Sequence, residues 1–287
     1  MVKRDQQFGE TVLEIAHQKL RAAKARFERV PVVGQAPRDV YKAFCQAIAD
    51  ALAGDGFEYA RSRASLTRKS SDLGSSISFQ SSHYNVAGEL VVLIIHAGVT
   101  SQRLKSWRAT HPSLMGGHDI VAGGQIGNLR KPESWIRWNL ASEEERDEEI
   151  ADAVAAIHEL AYPYFELFKD IAAVRARLVA EDIPSMGLAS ALDFMMCFGS
   201  GDEVLAFAAR VFRENVQVQE RYHAALVQYQ SEGVPRHVSG PYGDVLAAAT
   251  LMFGLPNLGT PDAGAIGGAG RWALRGRRSR IEKSKAS

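Results

Sequence analysis

The sequence predicts an α+β fold: a mostly antiparallel sheet with helices on one face, plus an all-helical C-terminal extension. Three observations carry this. Two apolar stretches, Ser75-Ser-Ile-Ser-Phe-Gln-Ser-Ser-His-Tyr84 and Leu90-Val-Val-Leu-Ile-Ile-His-Ala-Gly-Val99, read as a hairpin. Within the first, Ser76, Ser78, Gln80 and Ser82 alternate with their neighbours, as in a sheet covered on one face only. After Pro184 the apolar spacing becomes helical throughout.

Each element has its own signal. Asp5 to Val30 reads as a helix, with Phe8, Val12, Ile15, Leu20, Ala23 and Phe27 on one stripe and a basic remaining surface. Pro31 to Pro37 is a linker. Asp39 to Ala53 is a second helix, with Val40, Phe44, Ile48 and Leu52 four residues apart and Gly54 and Gly56 ending it. Phe57 to Lys69 holds one or two short strands. The hairpin turn falls around Val86-Ala-Gly-Glu89, which sets His96 opposite Phe79 and His83 opposite Val92.

Thr100 to Ser134 is a long, glycine-rich connection, of the kind that is functional or disordered. Trp135 to Leu140 alternates and adds a strand. Ser142-Glu-Glu-Glu145 reads as a capping box, opening a helix with Ile150, Val154, Ile157 and Ala161 inward. Pro163 breaks that helix and starts the next, which buries Phe165, Phe168, Ile171, Val174 and Leu178. Met186 to Phe198 is a helix. Ser200-Gly-Asp-Glu203 is a second capping box, opening one long helix that Gly233 stops. Tyr242 to Phe253 is the last helix. The expected organisation is therefore an N-terminal helix and linker (1–36), an α+β core (37–183), a helical extension (184–254) and a flexible basic tail (255–287).

Composition excludes several classes. Apolar content of 46% with 23% charged residues is that of an ordinary soluble globular protein. A formal charge of +1 selects neither a nucleic acid nor an acidic partner. Cys45 and Cys197 sit in apolar helical patterns and are too few for a disulfide framework or a zinc site. No apolar run follows Met1-Val-Lys-Arg-Asp as a secretory signal requires, and the Leu90–Ala97 run is too short to span a bilayer. A cytoplasmic location is expected, with the cysteines reduced.

The chemistry-bearing residues form no strong motif. His83 and His96 share a face in the expected register but lie about 13 Å apart, too far to hold one ion. His111, His118 and Asp119 share the glycine-rich connection and are the right types for a metal or general base. No His-Glu-x-x-His or P-loop pattern accompanies them, and no Gly-x-Ser-x-Gly occurs. Gly264-Ala-Ile-Gly-Gly-Ala-Gly270 follows no strand and so lacks the setting of a dinucleotide-binding turn.

Charge is segregated along the chain. Cations predominate between Phe57 and Leu140, interleaved with Trp107, Trp135 and Trp138, whereas the stretch from Glu143 to Asp170 is acidic. Either the acidic helix packs beside the basic sheet, or the poles steer a partner of complementary charge. Tryptophan and arginine anchor protein interfaces and also stack on unpaired bases. The tail Arg271-Trp-Ala-Leu-Arg-Gly-Arg-Arg-Ser-Arg280 is basic.

Residues from about Val40 to Leu178 resemble the bacterial domain-of-unknown-function family 4304. The similar features are a short helix closed by Gly56-Phe57, the Gln80-Ser81-Ser82 element, and a strand ending Ile94-Ile95-His96-Ala97-Gly98-Val99, where His96 replaces the family's usual Asn. The tryptophan-bearing strand and the aromatic segment Tyr162-Pro-Tyr-Phe-Glu-Leu-Phe168 also fit. The resemblance implies an α+β fold and carries no catalytic residue with it.

The leading expectation is a non-enzymatic binding module, of the inhibitor, immunity or defence type, that docks a macromolecular partner. Its expected partner-binding residues are Arg103, Lys105, Trp107, Arg108, His111, His118, Asp119, Arg130 and Trp135. No cofactor, metal or catalytic residue is assigned. Two alternatives stay open: nucleic-acid association through the basic sheet region and tail, and a hydrolase or nuclease organised by His111, His118 and Asp119.

Overall fold

The structure, a computed structural model, describes residues 36–258 apart from 70, 71, 112, 215, 236, 237, 239 and 240. The helix expected over Asp5–Val30 and the tail after Leu258 lie outside the described residues. The fold is α+β. Helix α1 (Pro37–Ala51) is followed by β1 (Glu58–Ala60), β2 (Ser65–Arg68), β3 (Gly74–Ser81) and β4 (Val92–Thr100). Then come α2 (Gln102–Thr110), β5 (Ile120–Gln125) and β6 (Trp138–Asn139). The rest is helical: α3 (Arg146–Ala156), α4 (Tyr162–Glu166), α5 (Ile171–Ala180), α6 (Leu188–Phe198), α7 (Gly201–Glu214), α8 (Val216–Glu232) and α9 (Tyr242–Phe253).

The sheet is antiparallel in the order β1-β2-β3-β4-β5, and the short β6 pairs with the start of β4. Alternation decides its faces. Leu66, Ile77, Phe79, Leu93, Ile95, Ala97 and Val99 are buried and join one continuous core with the helices. The other face carries Ser65, Thr67, Ser76, Ser78, Gln80, His96, Gly98 and Thr100. Chain after Pro184 enters the same core: Leu192, Phe194, Phe207 and Tyr222 are fully enclosed. Within it, burial pushes the Cys45 thiol up to about 12. No described helix is long and apolar enough to cross a membrane.

The structure corrects several expectations. The β3–β4 pairing sets His96 opposite Ser78, not Phe79, and places Phe79 opposite Ile95. A one-residue shift moves a side chain to the other face. The physical reason is the connection, a wide turn rather than a two-residue one. Asn85 donates to Ser81 Oγ and accepts from the Val92 N–H, and a small loop closes between Val86 and Leu90. Gly88, at φ 76°, makes that loop possible. His83 lies beyond the end of β3, its ring 3.8 Å from that of Tyr84.

The connection from Thr100 to Ser134 is largely regular, containing α2, β5 and a 3₁₀ turn (Ile126–Leu129). The capping box expected at Ser142 does not form. Helix α3 starts at Arg146 with no side-chain cap, and the Arg146 guanidinium folds back onto the Leu140 and Ala141 carbonyls. The second box does form: Ser200 N–H donates to Glu203 Oε2 at 2.7 Å and Glu203 N–H to Ser200 Oγ at 3.3 Å. Pro163 does not end the preceding helix. A π-helical turn (Ile157–Ala161) leads into α4, and the break comes before α5, where Asp170 caps the Ala172 N–H. The helix expected after Ser200 is described as α7 and α8 on either side of residue 215, which lies outside the described residues, and Gly233 follows the end of α8 at φ 87°.

The acidic start of α3 keeps its charge crowded. Burial, then the carboxylates of Asp152, Glu145 and Glu148, raise the pKa of Glu149 above the usual glutamate value. An acid with a raised native pKa is destabilising while ionised, and the penalty fades as pH falls through its titration. Glu149→Gln is therefore expected to stabilise the protein by about 0.2–0.5 kcal/mol at neutral pH, the usual cost of a like-charge helical pair. Chemical denaturation at neutral and at acidic pH checks this, with the gain shrinking in acid.

Candidate functional site

The expected site residues divide between two regions of the sheet. Strand β4 ends at Thr100, beside Ile120, and the sequence from Arg103 to Asp119 gathers at that end. Strand β5 then runs back, placing Gln125 opposite His96, about 13 Å along the sheet. Arg130 and Trp135 follow from there. The structure thus brings together Arg103, Lys105, Trp107, Arg108, His111, His118 and Asp119, and sets Arg130 and Trp135 apart.

At the first end, one buried carboxylate organises everything. Asp193 is fully enclosed on α6. It pairs with Arg108 Nε at 2.8 Å and accepts from Ser113 Oγ at 2.7 Å. Its oxygens also take the Leu114 N–H at 2.9 Å and the Met115 N–H at 3.1 Å. Arg108 spends its remaining donors on the His118 and Ile120 carbonyls and Ser190 Oγ. A buried charge pair is tolerable only when saturated in this way. Arg108, expected on the docking surface, is therefore an internal strut: its burial is the condition for the ion pair.

Through this hub residues 113–119 are fixed against α6, β5 and α2. His111 stacks on Trp107 at 5.1 Å, with its Nδ1 near the Trp107 carbonyl and Thr110 Oγ1. Asp119 accepts from Gln102, and its carbonyl takes the Ser101 N–H. Ser101 in turn caps α2 through the Leu104 N–H. His111, His118 and Asp119 thus serve different contacts. Among the described residues, no three His, Cys, Asp or Glu side chains gather as metal ligands would. What faces solvent is Lys105, Arg103 over the Phe198 ring, Gly116-Gly117-His118, and Ile120 at 48% exposure.

At the second region, Gln125 lies on the sheet face of His96, and its amide donates to the Ile136 carbonyl while accepting the Gly127 N–H. This seats the 134–137 segment at the border of that face. Ser134 is held by Gly127, where any side chain would overlap the Ser134 carbonyl. Trp138 and Leu140 turn inward, while Trp135, at 62% exposure, Arg137 and Asn139 turn outward. Arg130 is paired with Glu159 at 3.1 Å on the rim of an open cleft of about 440 Å³. Leu129, Leu160 and Tyr164 line that cleft, and its far side holds the Arg177–Glu181 ion pair.

Sequence reasoning missed Asp193, Ser190 and Ser113. The signal was available: a lone Asp in the apolar run Leu188-Ala-Ser-Ala-Leu-Asp-Phe-Met-Met demands a buried cation. It missed a second cluster as well. The π turn brings Tyr162 Oη to Asp55 Oδ2 at 2.7 Å and His158 to 3.8 Å from the same oxygen. Arg68 lies beside them, over the Phe57 ring at 4.7 Å. Compared with protein-family models, curated proteins and solved structures, the chain matches none.

Proposed function

We propose that this protein is a non-enzymatic binding module that docks another protein through α2 and the loop after it, in the manner of an inhibitor, immunity or defence component. One observation carries the reading. A glycine-rich segment that would be costly to order at the moment of binding is ordered beforehand by the Arg108–Asp193 hub. Rigid presentation of a loop is what a recognition surface needs. The cations there are available: Arg103 and Lys105 have no carboxylate partner among the described residues, whereas Arg175, Arg210 and Arg221 all do. Arg103 also stands in the first turn of α2, which has no acidic residue, where a cation opposes the helix dipole. That local cost is relieved by a carboxylate brought from outside. Kinship with family 4304 is a proposal of the same standing and adds no mechanism.

The test is capture from nuclease-treated lysate of the source cells, using the full chain and the variant Lys105→Glu/His118→Glu. Both positions are exposed and outside the side-chain contacts of the hub, so thermal stability is expected to stay within a degree or two. A protein retained by the wild type and lost from the variant is the expected result. Identical retention by both chains, or no protein retained by the wild type, overturns the reading.

A further inference from the structure

The sheet face opposite the core is built for a different partner. Its polar groups are small or planar: Ser65, Ser78 and His96 share one row, and Thr67, Ser76, Gly98 and Gly123 the next. His96 Nε2 lies 2.9 Å from Gln80 Oε1. Gly98 and Gly123 face one another across β4 and β5 and leave a floor without side chains. The Gly123 backbone is explained by its own geometry, at φ 148° beside a β-bulge. At Gly98 a Cβ would crowd Ser76 Oγ at 3.2 Å, the hydroxyl that donates to the Gly98 carbonyl, and would meet the Ala122 carbonyl at 3.5 Å. The bare backbone of the two glycines lets a planar group approach the sheet closely.

Trp135 stands at the border of this face, in the segment Gln125 seats, with Lys131 and Arg137 on either side. Neither cation has a carboxylate partner among the described residues, and Glu133 is the one acid between them. Protein interfaces bury an apolar centre. Here the centre of the face, across β2, β3 and β4, offers hydroxyls, an amide, an imidazole and bare backbone beside Ile94, while Glu58 and Ala60 on β1 and Ile120 on β5 lie at its margins. Unpaired bases supply what fits: planar faces for Trp135 and the glycine floor, hydrogen-bonding edges for Gln80 and His96, and phosphates for the two cations. Burial lowers the His96 pKa, so its ring is neutral at physiological pH and suited to a base edge rather than a phosphate.

We infer that the outer sheet face binds single-stranded nucleic acid, with a base stacked on Trp135 and phosphates at Arg137 and Lys131. This surface is separate from the α2 docking surface, and neither depends on the other. The test is fluorescence anisotropy of a labelled single-stranded oligothymidylate, and of the matching duplex, with the full chain and its variants. The wild type is expected to prefer the single strand. Trp135→Ala is expected to weaken binding about tenfold without changing the thermal transition. Arg137→Gln is expected to lower the salt slope by about 0.7. Lys105→Glu/His118→Glu is expected to leave the affinity unchanged apart from a small long-range charge effect. No binding at low salt overturns the inference. Binding that survives both Trp135→Ala and Arg137→Gln also overturns it and assigns the affinity to the basic tail.

Discussion

Asp193→Ala is expected to cost about 3–5 kcal/mol, the usual result of stranding one charge of a buried pair. The loss has three parts. Arg108 stays buried with no counter-charge, the Leu114 N–H loses its acceptor, and the Met115 N–H and the Ser113 hydroxyl keep only their longer contacts, to Ser113 Oγ and to the Gly116 carbonyl, at 3.3 Å each. Such a loss consumes much of the stability of an ordinary domain. Urea denaturation measures it. The double variant Arg108→Met/Asp193→Leu separates charge from packing, because replacing both partners by apolar groups of similar size removes the stranded charge. It is expected to recover most of the stability. It should not restore the loop after α2, where the Leu114 N–H would still lack an acceptor.

Gly127→Ala is the second large effect. The added Cβ would overlap the Ser134 carbonyl and crowd Ser134 Oγ, and the backbone on both sides is held by hydrogen bonds. Relief requires moving the 134–137 segment. A destabilisation of about 1–3 kcal/mol is expected, the usual range for overpacking. The consequence reaches the outer sheet face, since that segment carries Trp135. Thermal denaturation reads the first effect, and oligothymidylate affinity, expected to fall as in Trp135→Ala, reads the second.

Much of the architecture was legible because period and composition report burial directly. The alternation of Ser76, Ser78 and Gln80 with Ile77 and Phe79 identified the half-covered sheet. The stripe Val40, Phe44 and Ile48 identified α1, and all three are buried. What period cannot report is register. The ten residues between β3 and β4 are closed by the Asn85 side chain, not by a short turn of fixed geometry, so His96 was placed one residue from its true partner. Nor can it report competition at a helix start. Ser142-Glu-Glu-Glu145 has the capping pattern, yet Arg146 closes that turn with its guanidinium instead.

The candidate site was legible in part for a related reason. Residue types selected Arg103 to Asp119 correctly as a neighbourhood, since α2 and its loop are adjacent in sequence. Whether a given arginine is strut or surface depends on a partner 85 positions away in the chain. Trp135 shows the converse: its side chain faces outward because Trp138 faces inward, which the alternation alone announces.

The central claim is that α2 and the Asp193-locked loop form the protein-docking surface. Hydrogen exchange of the full chain, alone and with the captured partner, tests it most directly. Alone, the Leu114 amide, a buried donor to Asp193, should exchange slowly, and the part-buried Met115 amide should be protected as well. With the partner bound, new protection should appear across Gln102–Ile120. A locked loop that exchanges freely, or new protection confined to other regions of the chain, would contradict the account.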